Sequence, residues 1–441
     1  MSLDELKDKH TRTQCAALVI GAMASGQGKT TVTAALARYY RILGRKVQVF
    51  KCGPDFLDPM ILEQASGAPV YQLDMWMSDE SHCRDLLYRA AQNADIILIE
   101  GAMGLYDGDN SSANLARLFN IPLMILIDAS AMAQTFGAVA FGLANYQSSI
   151  KVAGVFANRV ASTNHYELLA ESLPPGLSLC GWMQRCDDAE LPRRHLGLVQ
   201  AKEQQDLTQR IDAAVKAMHG VDEFFLENCD FLAPLSKDSA SRALAGVRIA
   251  IANDEAFSFV YPANLDFLRD QGAVLEFFSP LHDSELPDCD AVYIPGGYPE
   301  LYLQQLASNK AIKTSLREKA RQNIPFFAEC GGMLYLLDEL IDSQGGRADM
   351  LGLIKGSAVM QEKLAHLGLH QIELYNGALR GHSYHYSQAQ IDEDALVYSE
   401  PSRRGRKSEA FYRIGSVNAS YLHLYFSSCP EAAVKLFLQN S

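Results

Sequence analysis

Short, almost unbroken apolar runs alternate with helical stretches through the first half of the chain. The runs are Ala16 to Ile20, Val47 to Phe50, Ile96 to Ile99, Leu123 to Ile127 and Val152 to Phe156, built mainly from Val, Ile, Leu and Phe. A strand buried on both faces shows such continuity, whereas a half-exposed strand alternates, so these runs predict a parallel sheet. Between the first two, Thr30 to Leu43 carries apolar residues at helical spacing and stops at Gly44. That is a βαβ unit, and its repetition predicts a doubly wound α/β domain. The pattern weakens after about residue 195. The stretch from 200 to 240 reads as polar and helical, and "SKDSASRALAG" reads as a loose linker. A second α/β series then begins at Val247 to Ala252 and continues with Val274 to Phe278, Ala291 to Ile294 and Phe326 to Ala328.

Composition narrows the class of protein. The 441 residues are 48% hydrophobic and 21% charged, which fits globular domains and excludes a disordered or fibrous chain. No apolar run is long enough for a membrane span, and "MSLDELKDKHTRTQC" lacks the apolar core of a signal peptide, so a cytoplasmic protein is expected. A formal net charge of −13 argues against nucleic acid and anionic membrane as partners, though not against an anionic small molecule. Two basic clusters, Pro192-Arg193-Arg194-His195 and Arg403-Arg404-Gly405-Arg406-Lys407, are read first as solvated faces. The nine cysteines form no CxxC pair, and most are expected as buried apolar filler.

Two motifs carry chemistry. "AMASGQGKTT" lies directly between a strand and a helix. There Ser25, Gly26, Gln27, Gly28, Lys29, Thr30 and Thr31 would bind nucleotide, with backbone N–H groups on the phosphates, Lys29 on their distal oxygens and Thr30 on magnesium. The strict phosphate-loop pattern would place a glycine at Met23, so this is a variant loop. Two acidic segments, "FKCGPDFLDP" and "IEGAMGLYDG", fall beyond the carboxyl ends of later strands, where ligands of open α/β sheets bind. Asp55 and Glu100 are therefore candidate magnesium partners beside Thr30. Asp58, Tyr106 and Asp107 are candidates for substrate contact; the plain alternatives are a cap or turn at Asp58 and an Asp-Gly turn at Asp107.

The second motif is "IPFFAECGGMLYL", which sets Cys330 on a strand-to-helix turn followed by two glycines. A nucleophile on so tight a turn needs small neighbours. Gly331, with Gly296 and Gly297 of "PGGYPE", could supply an oxyanion hole. The thiol needs a base. His423 in "ASYLHLYFS", near the end of a predicted strand, is the first candidate, and His385 in "RGHSYHYS" is the alternative, with His382 beside it.

In their order along the chain, "SGQGKTT", "FKCGPDFLDP", "EGAMGLYDG", "RHLGL", "EAFSFVYPANL", "FFSPLHD", "PGGYPELY", "ECGGM" and "ASYLHLYFS" resemble the cobyrinate a,c-diamide synthase family of cobalamin-pathway amidotransferases. Cobyric acid synthase is similar in architecture but lacks the GPDFLDP-type segment. The resemblance implies a dethiobiotin-synthetase-like ATP-dependent synthetase domain over residues 14–200, a helical or linker segment over 201–245 and a class I glutamine amidotransferase domain over 246–441. It implies ATP and Mg²⁺ as cofactors, and a corrin-type macrocycle, ATP and glutamine as small-molecule partners. A homodimer is compatible with it. Cys330 would release ammonia from glutamine, ATP would activate a carboxylate as an acyl phosphate, and ammonia would displace the phosphate.

Three positions depart from that pattern. Tyr425 stands where the usual amidotransferase His-x-Glu carries its carboxylate, which leaves a Cys–His dyad. Ala22 stands where a phosphate-loop glycine is frequent, and Ser383 stands where relatives often carry an acidic residue. The competing readings are a nickel-sirohydrochlorin or metal-free hydrogenobyrinate substrate for the same chemistry, and a P-loop switch protein with an inactive amidotransferase domain.

Overall fold

The computed structural model describes residues 12–108, 110–191, 206–222, 226–234 and 242–439. The basic cluster at 192–195 and the "RHLGL" segment lie outside them. The chain divides into two compact units: one runs to Met75 and from Asp79 to Ser236, and the other comprises Trp76–Ser78 and everything from Lys237 onward. Among the described residues, no helix is long and apolar enough to cross a membrane.

The first unit is a nine-stranded sheet flanked by helices. Its strands are β1 (Arg12–Ala22), β2 (Val47–Cys52), β3 (Tyr71–Leu73), β4 (Ile96–Glu100), β5 (Leu123–Asp128), β6 (Val152–Val160), β7 (Leu179–Gln184), β8 (Met218–His219) and β9 (Asn228–Leu232). Its helices are α1 (Lys29–Ile42), α2 (Leu57–Ser66), α3 (Glu80–Asn93), α4 (Ser112–Leu118), α5 (Thr135–Asn145), α6 (Thr163–Ser172) and α7 (Leu207–Ala217). The order β3-β2-β4-β1-β5-β6-β7-β8 reverses direction at β1, so β1, β2, β4 and β5 deliver their carboxyl ends to one crevice. The apolar runs fill both faces: Ala17 and Val19 point into one core cluster, Leu18 and Ile20 into the other.

The 200–240 stretch is not uniformly helical. Among its described residues α7 is the helical part, and β9 pairs antiparallel with β1, Thr13 opposite Phe231 and Cys15 opposite Cys229. Cys229 and Phe231 are buried while Asn228 and Asp230 are exposed, the two-residue period of a half-covered strand. That signal is too short to stand out among polar neighbours.

The second unit is built on β10 (Arg248–Ala252), β11 (Val274–Phe278), β12 (Ala291–Ile294) and β13 (Phe326–Glu329), with α8 (Pro262–Asp270), α9 (Leu303–Ser308), α10 (Lys310–Arg321) and α11 (Gly331–Leu336). The strands β14 (Glu339–Ile341), β15 (Arg347–Asp349), β16 (Gly356–Met360), β17 (His366–Leu374), β18 (Gly377–His385), β19 (Ser387–Ile391), β20 (Val397–Tyr398) and β21 (Glu400–Pro401) follow. The chain closes with β22 (Ala410–Ile414), β23 (Val417–Ser420), β24 (His423–Tyr425) and α12 (Pro430–Lys435). The main sheet runs β11-β10-β12-β13-β23-β22-β20, parallel from β11 to β23. Two further four-stranded sheets, one including the long β17–β18 hairpin, were not visible in the sequence. They arise from residues with polar interruptions, where one face stays wet.

Candidate active site

In the first unit the loop after β1 begins a helix whose N-cap is Gly28, at φ 93°. Only glycine adopts this backbone freely, and a Cβ here would meet Asn158 Nδ2 at 2.2 Å. The same Asn158 amide donates to Gln27 O over 2.8 Å, and Gln27 Oε1 accepts the Asp128 N–H at 3.0 Å. The loop is thus fixed from the ends of β5 and β6, with Ser25 and Gly26 exposed at its tip. Lys29 is buried, its ammonium donating to the carbonyl oxygens of Ala24, at 3.1 Å, and Met103. Burial lowers its pKa, with Glu100 opposing.

Thr30 donates its hydroxyl to Glu100 Oε1 over 2.8 Å, so the helix start and the end of β4 converge. The other oxygen, Glu100 Oε2, is buried with no hydrogen-bond partner. An orphaned carboxylate oxygen beside a hydroxyl suits a hard, oxygen-seeking cation such as Mg²⁺.

Sequence reasoning passed over Lys51. It is 4% exposed, buried in the mainly apolar β2. Its ammonium donates to Glu100 Oε1 at 2.9 Å and to Asp58, and stands 3.6 Å from Asp55. Burial alone would lower its pKa, but Glu100, Asp58 and Asp55 outweigh burial and hold it charged. The signal was present: a lysine inside an apolar strand seldom sits there without partners.

The acidic candidates divide. Asp55 Oδ1 accepts the backbone N–H groups of Leu57 and Asp58, which fastens the start of α2. Burial and the neighbouring Asp58 raise its pKa to about 7. Asp58 is spent on Lys51. Asp107 Oδ2 accepts the Gly104 N–H at 2.9 Å within its own turn, and Gly108 follows at φ 80°. The Tyr106 hydroxyl donates to Leu143 O of α5. The structure therefore brings Thr30, Lys51, Asp55, Asp58 and Glu100 together, whereas Tyr106 and Asp107 are engaged in holding their own loop.

In the second unit Cys330 follows β13 at φ 45° and ψ −109°, a strained turn for a non-glycine residue. Its N–H donates to Ser420 O over 2.8 Å, tying the turn to the end of β23. The flanking glycines are required by space. A Cβ on Gly332 would meet Ile294 O at 2.1 Å, and one on Gly331 would meet Gly297 O at 2.7 Å. A Cβ on Gly296 would meet His423 Cε1 at 2.2 Å. The three glycines therefore connect the cysteine turn to the histidine.

His423 is the first residue of β24, three positions past β23. Its ring stacks on His382, centroids 4.9 Å apart, and Tyr261 hydrogen bonds His382 Nδ1 at 2.7 Å. Burial drives the pKa of both histidines down, His382 to about 3, so both are neutral at pH 7. Burial, with Glu300 adding to it, pushes the Cys330 thiol up. The resting pair is thus thiol and neutral imidazole.

The alternative base, His385, has both ring nitrogens engaged, Nδ1 on Ser387 O at 2.9 Å and Nε2 on Glu409 at 3.0 Å. Tyr425, at the usual carboxylate position, packs edge-on against Tyr261. The nearby buried carboxylate is Glu329, another residue the sequence reading missed.

Residues 18–199 match the family model of a CobQ/CobB/MinD/ParA nucleotide binding domain, and residues 248–430 match that of a CobB/CobQ-like glutamine amidotransferase domain. Fold and site thus define an α/β enzyme that joins a nucleotide-binding domain to a glutamine amidotransferase domain. The chain is 51% identical to the hydrogenobyrinate a,c-diamide synthase of Pseudomonas aeruginosa, over 97% of its length and 98% of the relative's. It is 52% identical to the enzyme of that name from Stutzerimonas stutzeri, over 97% and 99%. It is 47% identical to the cobyrinate a,c-diamide synthase of Herminiimonas arsenicoxydans, over 95% and 96%. The chain belongs to the cobyrinate a,c-diamide synthase family, whose members are amidating enzymes.

Proposed function

We propose that this chain uses ATP and glutamine to amidate the a and c carboxylates of cobyrinate or hydrogenobyrinate through acyl phosphates. The near-full-length identity to diamide synthases carries the substrate class. The convergence of Lys29, Thr30, Lys51 and Glu100 supports the activation step. A carboxylate oxygen is a poor leaving group and phosphate is a good one, so activation must precede attack by ammonia.

In this reading the backbone from Ser25 to Thr31 cradles the phosphates, and Lys29 leaves the Ala24 and Met103 carbonyls to meet the transferring group. Thr30 and Glu100 would hold Mg²⁺, with Asp55 the third candidate, and the ion would neutralise phosphate charge when bound. Lys51 keeps Asp58 and Glu100 from repelling an anionic substrate. In the other unit His423 takes the Cys330 proton as the sulfur attacks the glutamine carboxamide, and returns it to the departing ammonia. Gly296, Gly297 and Gly331 line the candidate oxyanion hole, where any side chain would collide with its neighbours.

Turnover with cobyrinate, hydrogenobyrinate and nickel sirohydrochlorin, each with ATP and glutamine and read by product mass, tests the proposal. A mass gain matching two amidations on either of the first two is expected. ATP hydrolysis without amide formation on any macrocycle would leave the switch-protein reading standing instead.

A further inference from the structure

His366 and His385 face each other in register across the β17–β18 hairpin. Both point to one oxygen of Glu409, with His366 Nδ1 at 3.1 Å and His385 Nε2 at 3.0 Å. Each of the three side chains is more than nine-tenths buried. The far ring nitrogens settle the tautomers: His366 Nε2 meets Lys407 O at 3.0 Å and His385 Nδ1 meets Ser387 O at 2.9 Å. A carbonyl oxygen can only accept, so both far nitrogens carry the proton. When the rings are neutral, the two near nitrogens then aim lone pairs at a carboxylate oxygen. His366 Nδ1 has no hydrogen-bond donor to satisfy it. With both rings neutral, three electron pairs converge, and the pocket then calls for a positive charge, supplied either by a second proton on a ring bonded to Glu409 or by a cation among the three atoms.

We infer that His366, His385 and Glu409 form a binding site for a divalent transition-metal ion of the zinc class. Two neutral imidazoles and a carboxylate are the ligand set such an ion prefers. Bonds of about 2.0–2.1 Å at tetrahedral angles separate ligand atoms by roughly 3.3 Å, close to the spacing found here. All three donor atoms lie within 4.8 Å of one another. The surroundings are those of metal ligands: each histidine is oriented through its other nitrogen by a backbone carbonyl, and Ser383 Oγ donates to Glu409 Oε1 at 2.9 Å. Ser383, the departure noted in the sequence, thus supports the site where a second acid would add charge. The His385 ring also lies flat on Tyr421, centroids 3.6 Å apart. The ion would staple the end of the hairpin to Glu409, the residue just before β22. Its role is structural and separate from the phosphate-site Mg²⁺.

The test is zinc retention by the full chain, purified without chelator, loaded with zinc, desalted and measured by elemental mass spectrometry. Near-stoichiometric zinc is expected in the wild type and in Cys330→Ala, which excludes capture by the catalytic thiol. His366→Gln and Glu409→Gln should each bind at least about tenfold more weakly and lose the rise in Tm that zinc gives the wild type. Should either variant fail to fold, X-ray absorption on the zinc-loaded wild type decides, with imidazole and oxygen ligation expected. No retained zinc, equal retention in folded ligand variants, or sulfur ligation would overturn the site.

Discussion

Glu329 Oε1 accepts the backbone N–H of Leu424 over 2.8 Å, joining the residue before the candidate nucleophile to the residue after the candidate base. The other carboxylate oxygen accepts the Tyr293 hydroxyl at 2.6 Å. Burial raises the Glu329 pKa from 4.5 to about 8. The folded state therefore holds this proton more tightly than the unfolded chain does. Its contribution is complete below about pH 4.5 and declines as pH rises to about 8. Glu329→Gln keeps the acceptor for Leu424 and removes the titration. Tm measured against pH should fall across that window in the wild type and fall less in the variant. Parallel curves would mean that Glu329 does not titrate there.

Cys330→Ala should lose glutamine-dependent synthesis and keep synthesis from added ammonia, which bypasses the thioester. His423→Ala should behave alike. His385→Ala should keep far more glutaminase activity than His423→Ala, since both its nitrogens are already engaged. Loss of the ammonia-dependent rate in Cys330→Ala would assign the cysteine a structural role.

Lys29→Ala should abolish synthesis from either nitrogen source, because no acyl phosphate forms. Alkylation of Cys330 by a glutamine analogue should survive. An ammonia-dependent rate equal to that of the wild type would remove Lys29 from the activation step.

Lys51→Met leaves Glu100 and Asp58 without their cation. Breaking a buried charge pair from one side costs about 3–5 kcal/mol, so denaturant unfolding should show a loss of that order. Glu100→Gln should cost less stability, because Lys51 keeps Asp58, yet should lower synthesis sharply and raise the magnesium requirement. A normal magnesium titration in Glu100→Gln would argue against its role as an ion partner.

One candidate phosphate loop cannot activate two carboxylates at once, nor can one candidate nucleophile release two ammonia molecules at once. Two ATP and two glutamine per diamide are therefore expected, with a monoamide accumulating first. A mass-spectrometric time course reads both. Diamide formed without any monoamide, under excess substrate, would exclude release between the steps, and one ATP per diamide would overturn the acyl-phosphate scheme.

The sequence alone determined what neighbours in the chain determine. Continuous apolar runs announced β1, β2, β4, β5 and β6; the GKTT marked the turn that opens α1; and the glycines after Cys330 marked the strained turn. These signals are local because helix period, strand burial and turn sterics act over a few residues. The tertiary structure alone decided which polar groups meet. Lys51 became the partner of Asp58 and Glu100 only once β2 lay beside β4, with Lys51 opposite Glu100 in register. Hairpin register set His366 against His385, and Glu409 joined them from far along the chain. β9, too short and polar to announce itself, was defined by the edge of β1 that it covers. Which polar groups share a buried site is a property of the packed fold, which no window along the sequence contains.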